Sequence, residues 1–309
     1  MQNSTQINTQ RAGIDKEILA LRAKSIFFKV LKYAALILAS IVFILPIATI
    51  FLASFKEYNE FYSTNKLSLP ASFLNLDNFK TAFIQGGMLR GFFNTAFIMI
   101  ISLSGTILLG AMVAYVLHRF DFKLKKAVLL IYMVPMFLPM VTTQVATFQI
   151  MSRLGLYNSL WAPIVLYLGA DVMSIFIMMQ FMDSIPYSND EAAMLEGASY
   201  FYIFTKLIVP LLKPAIATVI IIRGVGIYND FYTPFLYAPG DNMGTLATSL
   251  YKFMGPYGGQ WNVICAGVIL IMIPTLIVFL ALQKYIYNGF TAGCLLYTSP
   301  SPRDRSLSR

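Results

Sequence analysis

The sequence predicts an all-α polytopic membrane protein with six transmembrane helices. Composition is the first reason: 58% of the residues are hydrophobic, 12% are charged, and the mean hydropathy is +0.68. The second is a set of six apolar runs, each close to or above the length of about 20 residues that a helix needs to cross a bilayer. They cover residues 33–53, 92–117, 127–150, 160–182, 210–227 and 261–286. Because lipid offers no water to backbone N–H and C=O groups, such runs must be helices.

Prolines inside these runs include Pro46, Pro135, Pro139 and Pro163. Proline lacks a backbone N–H, so we expect each to kink or locally unwind its helix. The first run has roughly thirty residues before it and lacks a small-residue cleavage site, which predicts an uncleaved helix. The first fifteen residues are polar, and we predict that they are disordered.

Basic residues set the predicted orientation. Segment 1–32 carries six Lys and Arg against two acids, and four more basic residues follow the second run between 119 and 126. Since such residues favour the cytoplasmic side, both termini are predicted to be cytoplasmic. Loop 184–209 then lies inside, and segments 56–90 and 230–260 lie outside. The net charge of +9 reflects these membrane borders and predicts no nucleic-acid partner.

The most informative motif lies in the loop between the fourth and fifth runs. It reads Glu191-Ala192-Ala193-Met194-Leu195-Glu196-Gly197, followed by Leu207-Ile208-Val209-Pro210. The first residues favour a helix that ends at the glycine. Several large apolar and aromatic side chains occupy this predicted aqueous loop. Leaving them bare is unfavourable, so a partner protein should cover them or, alternatively, the loop should lie on lipid as an interfacial helix.

This motif resembles the EAA signature of ABC-importer permeases, with Leu207 and Val209 in place of the usual Ile and Leu. In that family the loop docks on a separate ATPase subunit. The resemblance therefore implies that loop 184–209 couples the chain to ATP hydrolysis. The residues that would do so are Glu191, Ala192, Ala193, Glu196, Gly197 and Pro210.

Three softer segments resemble sugar-importer permeases of the maltose and glycerol-phosphate type. They are Phe93-Asn94-Thr95, Leu154-Gly155-Leu156-Tyr157-Asn158-Ser159-Leu160, and Gly226-Ile227-Tyr228-Asn229-Asp230-Phe231, where Tyr228 replaces a tryptophan. The likeness extends from about residue 31 to residue 293 and implies a type I ABC-importer permease fold, similar to that of the methionine importer. Domain 33–293 would be the permease, in a bacterial cytoplasmic (inner) membrane.

The same resemblance implies the partners. Two ATP-binding subunits would bind inside, a second homologous permease would complete the pathway, and an extracytoplasmic solute-binding protein would deliver a sugar. No cofactor, metal or catalytic residue is expected, and the chain is not expected to be an enzyme. The candidates for lining the pathway are Asn94, Gln144, Gln149, Asp171, Arg223, Tyr228, Asn229 and Tyr232.

Two of these candidates are charges within apolar runs. Asp171 lies about 15 Å from the outer end of the fourth run and Arg223 about 20 Å from the inner end of the fifth. In a core about 30 Å thick these depths differ by about 5 Å. Because isolated charges at such depth are costly, Asp171 and Arg223 are predicted to form an ion pair or to face a wet pathway.

Two alternatives remain open at this point. The solute could belong to another class, such as amino acids or phosphate. The chain could also be a self-contained secondary carrier or channel whose loop rests on lipid, although no convincing repeat links its two halves.

Residues 294–309 do not continue the family pattern. Up to Gly293 the chain resembles family members, which often end shortly after such a segment, whereas the residues from Cys294 match a translated sequencing adapter. We therefore interpret 294–309 as a non-native tail that replaces a few native residues.

Truncation after Gly293 should consequently change neither assembly nor transport, since the removed residues did not evolve with this fold. Co-purification with the partner subunits and solute uptake by the truncated chain would measure this. A truncated chain that fails to assemble would show that the tail is native.

Overall fold

The computed structural model describes residues 2–169, 171–255 and 258–295. The chain divides into two compact units, one up to Leu76 and one from Asp77 onward. Within the described residues helices dominate, which confirms the all-α prediction. The exception is an antiparallel hairpin of two two-residue strands, β1 (Met254–Gly255) and β2 (Gly258–Gly259).

The first unit is built on α1 (Gln2–Ser54), followed by the short α2 (Tyr58–Ser63). The part of α1 from Ile26 to Ser54 is long and apolar enough to span a membrane, as predicted, and Pro46 does not end the helix. The prediction that the first fifteen residues are disordered is wrong, because the backbone is helical from Gln2. Once the apolar run has formed a helix, extending it backward adds one hydrogen bond for each residue that is ordered.

Lys56 organises the loop that follows α1. Its side chain is fully buried, and Nζ donates hydrogen bonds to Thr64 Oγ1 at 3.2 Å, Asn65 O at 2.7 Å and Ser68 Oγ at 2.8 Å. Three oxygens satisfy the three donors of the ammonium group, which makes its burial tolerable.

The second unit contains the remaining helices. They are α3 (Asp77–Gln85), α4 (Met88–Arg119), α5 (Lys125–Phe137), α6 (Met140–Arg153), α7 (Trp161–Tyr167), α8 (Val172–Met182), α9 (Ser188–Leu195), α10 (Tyr200–Tyr202), α11 (Val209–Leu211), α12 (Lys213–Asn229), α13 (Tyr232–Tyr237), α14 (Leu246–Ser249) and α15 (Trp261–Leu295). A π-helical turn, Ile203–Ile208, joins α10 to α11, and a 3₁₀ turn, Leu250–Phe253, follows α14.

Helix α4 is the central element of this unit and packs against α7, α8, α12 and α14. Its buried face consists largely of small residues, among them Thr95, Ser102, Thr106, Gly110 and Ala114, which allow neighbouring helices to approach closely.

The structure contains some of the six predicted spans as single long helices and others as broken helices. In the described residues three helices are long and apolar enough to cross a membrane, in α1, α4 and α15, and the number rises to five if two bent pairs each count as one span. One pair is α7 with α8, bent by 44°, and the other joins Tyr200–Leu211 to α12 with a 71° bend. The six-helix count and the orientation of the termini remain predictions.

The third predicted span, 127–150, is divided into α5 and α6, of 13 and 14 residues. Pro139 is the N-cap of α6 with an extended backbone, and Pro135 lies in the last turn of α5. Two missing N–H groups four residues apart explain the break. Pro163, in contrast, lies in the first turn of α7, where a missing N–H needs no replacement.

The fourth predicted span is also broken, between α7 and α8. Thr106 Oγ1 of α4 donates to Tyr167 O at 2.9 Å, and Asp171 Oδ1 accepts from Ser174 N at 2.5 Å as the N-cap of α8. One backbone group on each side of the break therefore has a side-chain partner, which matters for a break inside a predicted span because lipid offers none.

The largest buried core joins the last turns of α4 to α8, the π-helical turn and the start of α12. It includes Tyr115, Met178, Met182, Ile203 and Leu212. The tail predicted to be foreign lies outside the described residues except at 294 and 295, where the backbone continues α15.

Candidate functional site

The EAA segment forms a helix, turn and second helix at one end of α4. Asp190 and Glu191 occupy the first turn of α9, where acids suit the helix N-terminus. Glu191, Ala192 and Glu196 are exposed, whereas Ala193 is half-buried against the core beneath. One face of α9 thus packs on the core of the second unit, and the opposite face is exposed.

Gly197 ends α9 in a left-handed conformation with φ of +85°. Its N–H donates to Met194 O at 2.9 Å, and the N–H of Ala198 donates to Ala193 O at 3.0 Å. This pair of bonds is the Schellman motif, which favours glycine at that position because a Cβ is strained there. No atom lies within 4 Å of where a Cβ would be, so backbone conformation rather than space selects glycine.

The second half of the segment begins at Ser199, whose Oγ accepts from Tyr202 N at 3.3 Å. Ile203 and Ile208 of the π-helical turn are fully buried. Pro210 follows in α11 and is exposed. Since Pro210 has no N–H for the residue one turn back, regular α-helical bonding cannot run through this region.

A buried ion pair holds α9 to α4. Arg119 Nε lies 3.2 Å from Asp190 Oδ2, and the two side chains are 5% and 2% exposed. Arg119 Nη2 also donates to Ile185 O at 3.0 Å. Burial raises the pKa of the Asp190 carboxyl above its usual value, and the Arg119 guanidinium partly offsets this. A second, more exposed contact joins His118 Nε2 to Asp183 Oδ1 at 2.9 Å.

Aromatic rings reinforce the same junction. Phe120 packs edge-on against Tyr200 with centroids 5.1 Å apart, and Tyr115 contacts Phe204 at 5.4 Å. These contacts fix the second half of the segment to the C-terminal end of α4.

An apolar patch remains uncovered beside the exposed face of α9. It consists of Leu195, Phe201 and Tyr202, whose side chains are 90%, 71% and 57% exposed. Bare surface of this kind next to a rigidly held helix is typical of an interaction site.

A cavity of about 750 Å³ lies elsewhere in the second unit, bounded by residues of α5 to α8, α12 and α13. Of the predicted pathway residues, Gln144, Asp171, Arg223 and Tyr232 line it. Arg223 Nε lies 2.7 Å from Asp171 Oδ2, with the side chains 32% and 23% exposed. The predicted ion pair is therefore confirmed, and it faces the cavity.

The other four pathway candidates are placed differently. Asn94 Nδ2 donates to the carbonyls of Asn242 and Gly244, both at 2.9 Å, and Tyr228 donates to Ile271 O at 2.8 Å. Asn229 donates to Val225 O in its own helix, at 3.0 Å, and Gln149 is exposed on α6. The hydrogen bonds of Asn94, Tyr228 and Asn229 go to backbone carbonyls, and none of the four residues lines this cavity.

Sequence reasoning missed a polar network around Asp230 that also lines the cavity. Asp230 Oδ2 accepts from Tyr167 Oη at 2.7 Å and from Thr233 Oγ1 at 2.6 Å, while Oδ1 accepts from Thr233 N at 3.0 Å. All three residues line the cavity. The signal was available, because Asp230 is an acid directly after an apolar run and lies within a motif already singled out.

The two ends of α4 carry different sets of loops. Near its start, Thr95 Oγ1 accepts from Leu246 N at 3.0 Å, and near its end His118 and Arg119 hold 183–190. A helix of 32 residues is about 48 Å long. Loops predicted to lie on opposite sides of a membrane are therefore bound at opposite ends of one helix.

This fold, with a helical hairpin fixed at one end and a polar cavity among broken helices, defines a membrane transport subunit. The chain belongs to the family described as the binding-protein-dependent transport system inner membrane component, whose model matches residues 106–292. It is therefore a permease of that family, and the family is not enzymatic.

Three relatives illustrate the likeness. The arabinooligosaccharides permease AraQ of Halalkalibacterium halodurans is 29% identical over 81% of this chain and 90% of its own length. The galactooligosaccharides permease GanQ of Bacillus subtilis is 30% identical over 84% and 93%. The melibiose/raffinose/stachyose permease MelC of Bacillus subtilis is 30% identical over 89% and 99%.

Among solved structures, a chain of a bacterial ABC transporter involved in the import of the acidic polysaccharide alginate superposes with a TM-score of 0.74. The sequence identity is 20%, and the alignment covers 84% of this chain and 96% of the other. At that identity the likeness establishes the fold, which is that of an ABC-importer permease.

Replacing Asp190 by Ala should destabilise the folded chain by about 3–5 kcal/mol, because it leaves Arg119 buried without a counter-charge. Asp190→Asn should cost less, since the amide oxygen can still accept a hydrogen bond. Asp183→Ala is the matched control: its carboxylate is 73% exposed, so the loss should be below about 1 kcal/mol. Thermal unfolding in detergent would rank the three variants, and equal losses for both alanine variants would contradict this interpretation.

The raised pKa of Asp190 also fixes a pH dependence. The folded chain holds this proton more tightly than the unfolded chain, so ionisation works against folding. The contribution of the protonated Asp190 carboxyl to the stability of the wild-type chain should therefore be lost as the pH rises from about 4 through the raised pKa. The Asp190→Asn variant should lack it, and identical pH profiles for the two proteins would show that Asp190 does not titrate in this way.

Single replacement of Asp171 or Arg223 by Ala should also impair assembly or transport. The loss should fall between the roughly 1 kcal/mol of an exposed pair and the roughly 3–5 kcal/mol of a buried one. Exchanging the two charges should restore part of it. Wild-type behaviour of both single variants would exclude a role for the pair.

Proposed function

We propose that this chain is a membrane-spanning permease subunit of an ATP-driven sugar importer. It forms half of the translocation pathway and couples to its ATPase through loop 184–209. The proposed coupling to the ATPase is supported by the way α9 is held. The Arg119–Asp190 ion pair fixes one face of the helix to α4, while Glu191 and the apolar patch are exposed. The sugar part rests on the names of the relatives, each of which transports oligosaccharides.

The partners follow from the same proposal. Two ATP-binding subunits bind at loop 184–209 and its counterpart, and a second, homologous permease supplies the other half of the pathway. A solute-binding protein docks on the outer loops; a related alginate importer has been solved in complex with a periplasmic protein carrying an alginate pentasaccharide. The chain lies in a bacterial cytoplasmic membrane, with both termini inside and six spans in contact with lipid.

A self-contained carrier or channel is not favoured, because family membership implies a subunit that works with an ATPase. Amino acids and phosphate are not favoured either, since among the described residues that line the cavity the one cationic group, the guanidinium of Arg223, already contacts Asp171. The mechanism is mechanical. Movement of α9 with its ATPase would rock the attached helices between inward-open and outward-open states.

The coupling role predicts that Glu191→Lys leaves the chain inserted but uncouples it from the ATPase. Losing one partner of a desolvated charged contact costs about 2–5 kcal/mol. Solute-stimulated ATPase activity of the complete assembly in lipid discs would measure the effect. Asp121→Lys, which reverses a fully exposed acid outside loop 184–209 and outside the predicted outer loops, should retain stimulation.

Gly197→Leu should uncouple as well, and Gly155 provides a matched control. Gly155 has φ of +69° and the same two Schellman bonds, at the end of α6, with no atom within 4 Å of where a Cβ would be. Both substitutions impose a left-handed strain of about 1–2 kcal/mol. Only Gly197→Leu should lose ATPase stimulation, and equal losses in both would indicate strain rather than docking.

A further inference from the structure

The charged groups of the 750 Å³ cavity do not balance. The described residues that line it include two carboxylates, of Asp171 and Asp230, and one guanidinium, of Arg223. The lining therefore carries a surplus of one negative charge. A binding space with a surplus charge discriminates between solutes by their own charge, because opposite charges attract and like charges repel at close range.

The two carboxylates differ in what surrounds them. Asp171 lies against Arg223 at 2.7 Å, and its other oxygen caps α8. Among the described residues no Lys, Arg or His comes within ion-pair distance of Asp230, whose recorded donors are the uncharged groups of Tyr167 and Thr233. The uncompensated charge in the cavity is therefore that of Asp230.

Fixed geometry keeps this charge in place. Asp230 is the C-cap of α12, directly before α13, and Thr233 binds it from the first turn of α13 with both its backbone N–H and its hydroxyl. Tyr167 binds it from the last turn of α7. Three hydrogen bonds from two other helices hold the carboxylate at the cavity wall, so it cannot turn away from a solute at low cost.

The rest of the lining suits an uncharged, hydroxyl-rich molecule. Gln144 and Thr147 supply amide and hydroxyl groups, and Tyr132, Tyr232 and Tyr237 supply aromatic rings with polar tips. Amides and a carboxylate can hydrogen-bond to hydroxyls, while rings cover the apolar faces of a sugar. The volume lies within the range of about 300–1,000 Å³ that is common for ligand sites.

We propose that Asp230 makes this cavity a charge filter, which admits neutral oligosaccharides and disfavours anionic ones such as those containing uronic acids. This inference rests on the proposed function, since it takes the cavity to be part of a sugar pathway. Asp230 sets the surplus charge, and Asp171 prevents Arg223 from serving as an anion site. Removing either carboxylate makes the cavity more tolerant of anions.

The charge can be tested without knowing the sugar. In the complete assembly, with Cys265→Ala and Cys294→Ser as background, Gln144→Cys places a thiol in the cavity. The thiolate reacts with methanethiosulfonates by forming a disulfide and releasing methanesulfinate, so a cationic trimethylammonium-ethyl and an anionic sulfonatoethyl reagent report the local potential. The ratio of their rates is normalised to the same ratio for free 2-mercaptoethanol.

We expect a normalised cation-to-anion ratio of about three or more, which Asp230→Asn lowers toward one. Asp230→Glu should keep the ratio, and so should Asp241→Asn, which removes the same charge from an exposed position that does not line the cavity. Asp171→Asn should lower it by freeing Arg223. A wild-type ratio near one, or a ratio that Asp230→Asn and Asp241→Asn change equally, would overturn the proposal.

Uptake separates this inference from the proposed function. Cells that express the importer should take up neutral oligosaccharides from a panel that includes raffinose, and should exclude trigalacturonate. Uptake of trigalacturonate at a rate comparable with that of a neutral trisaccharide would overturn the charge filter. Failure to take up any neutral oligosaccharide, with the reagent ratios as expected, would contradict the sugar-import function while the charge asymmetry of the cavity stands.

Discussion

The buried ion pair between Arg119 and Asp190 determines how the exposed motif is presented. An ion pair this deeply buried is not a large source of stability, because desolvation of the two charges offsets most of their attraction. Its value is geometric. The guanidinium of Arg119, the last residue of α4, fixes the first turn of α9, and the same side chain binds the carbonyl of Ile185 in the preceding loop. The exposed face of α9 therefore has a defined position relative to α4.

A second constraint acts on the cavity. Between α7 and α8, backbone groups lose their helical partners within the predicted fourth span, where lipid could not replace them. Thr106 and Asp171 supply two of the missing partners. Asp171 thereby becomes a partly buried charge, which its contact with Arg223 compensates. The break in the helix, the cap and the ion pair are successive consequences of one requirement, and together they place polar groups where a solute could pass.

Much of this arrangement could be predicted from the sequence. The helical class, the first, second and sixth spans, and the Asp171–Arg223 pair follow from apolar length and from the cost of isolated charges. The glycine that ends α9 was predicted too, because its left-handed turn is a local property. The division of 127–150 at Pro139 was expected as a kink, but its extent depends on packing that no local pattern records.

The placement of polar side chains was less predictable, for a physical reason. Asn94, Tyr228 and Asp230 all carry hydrogen-bonding groups near the ends of apolar runs, and the sequence does not distinguish them. Tertiary contacts determine what each of these side chains does. Asn94 donates to carbonyls of a distant loop, Tyr228 donates to a carbonyl of α15, and Asp230 accepts from Tyr167 and Thr233 at the cavity wall. These partners are up to 150 residues apart in the chain, beyond what local periodicity can report.

The arrangement also suggests how the two sites communicate. Helix α8 begins at the cavity with Asp171 as its cap and ends in the core beneath α9, at Met182. Helix α12 runs between the same two places, with Leu212 and Ala215 in that core and Arg223 at the cavity. The Asp171–Arg223 contact joins the two helices at their cavity ends, as the core joins them at the other. Close-packed helices of this length transmit displacement rather than absorb it. Under the proposed coupling, a shift of α9 imposed by an ATPase would therefore reach both of these cavity-lining helices together, which is the physical requirement for opening a pathway on one side while it closes on the other.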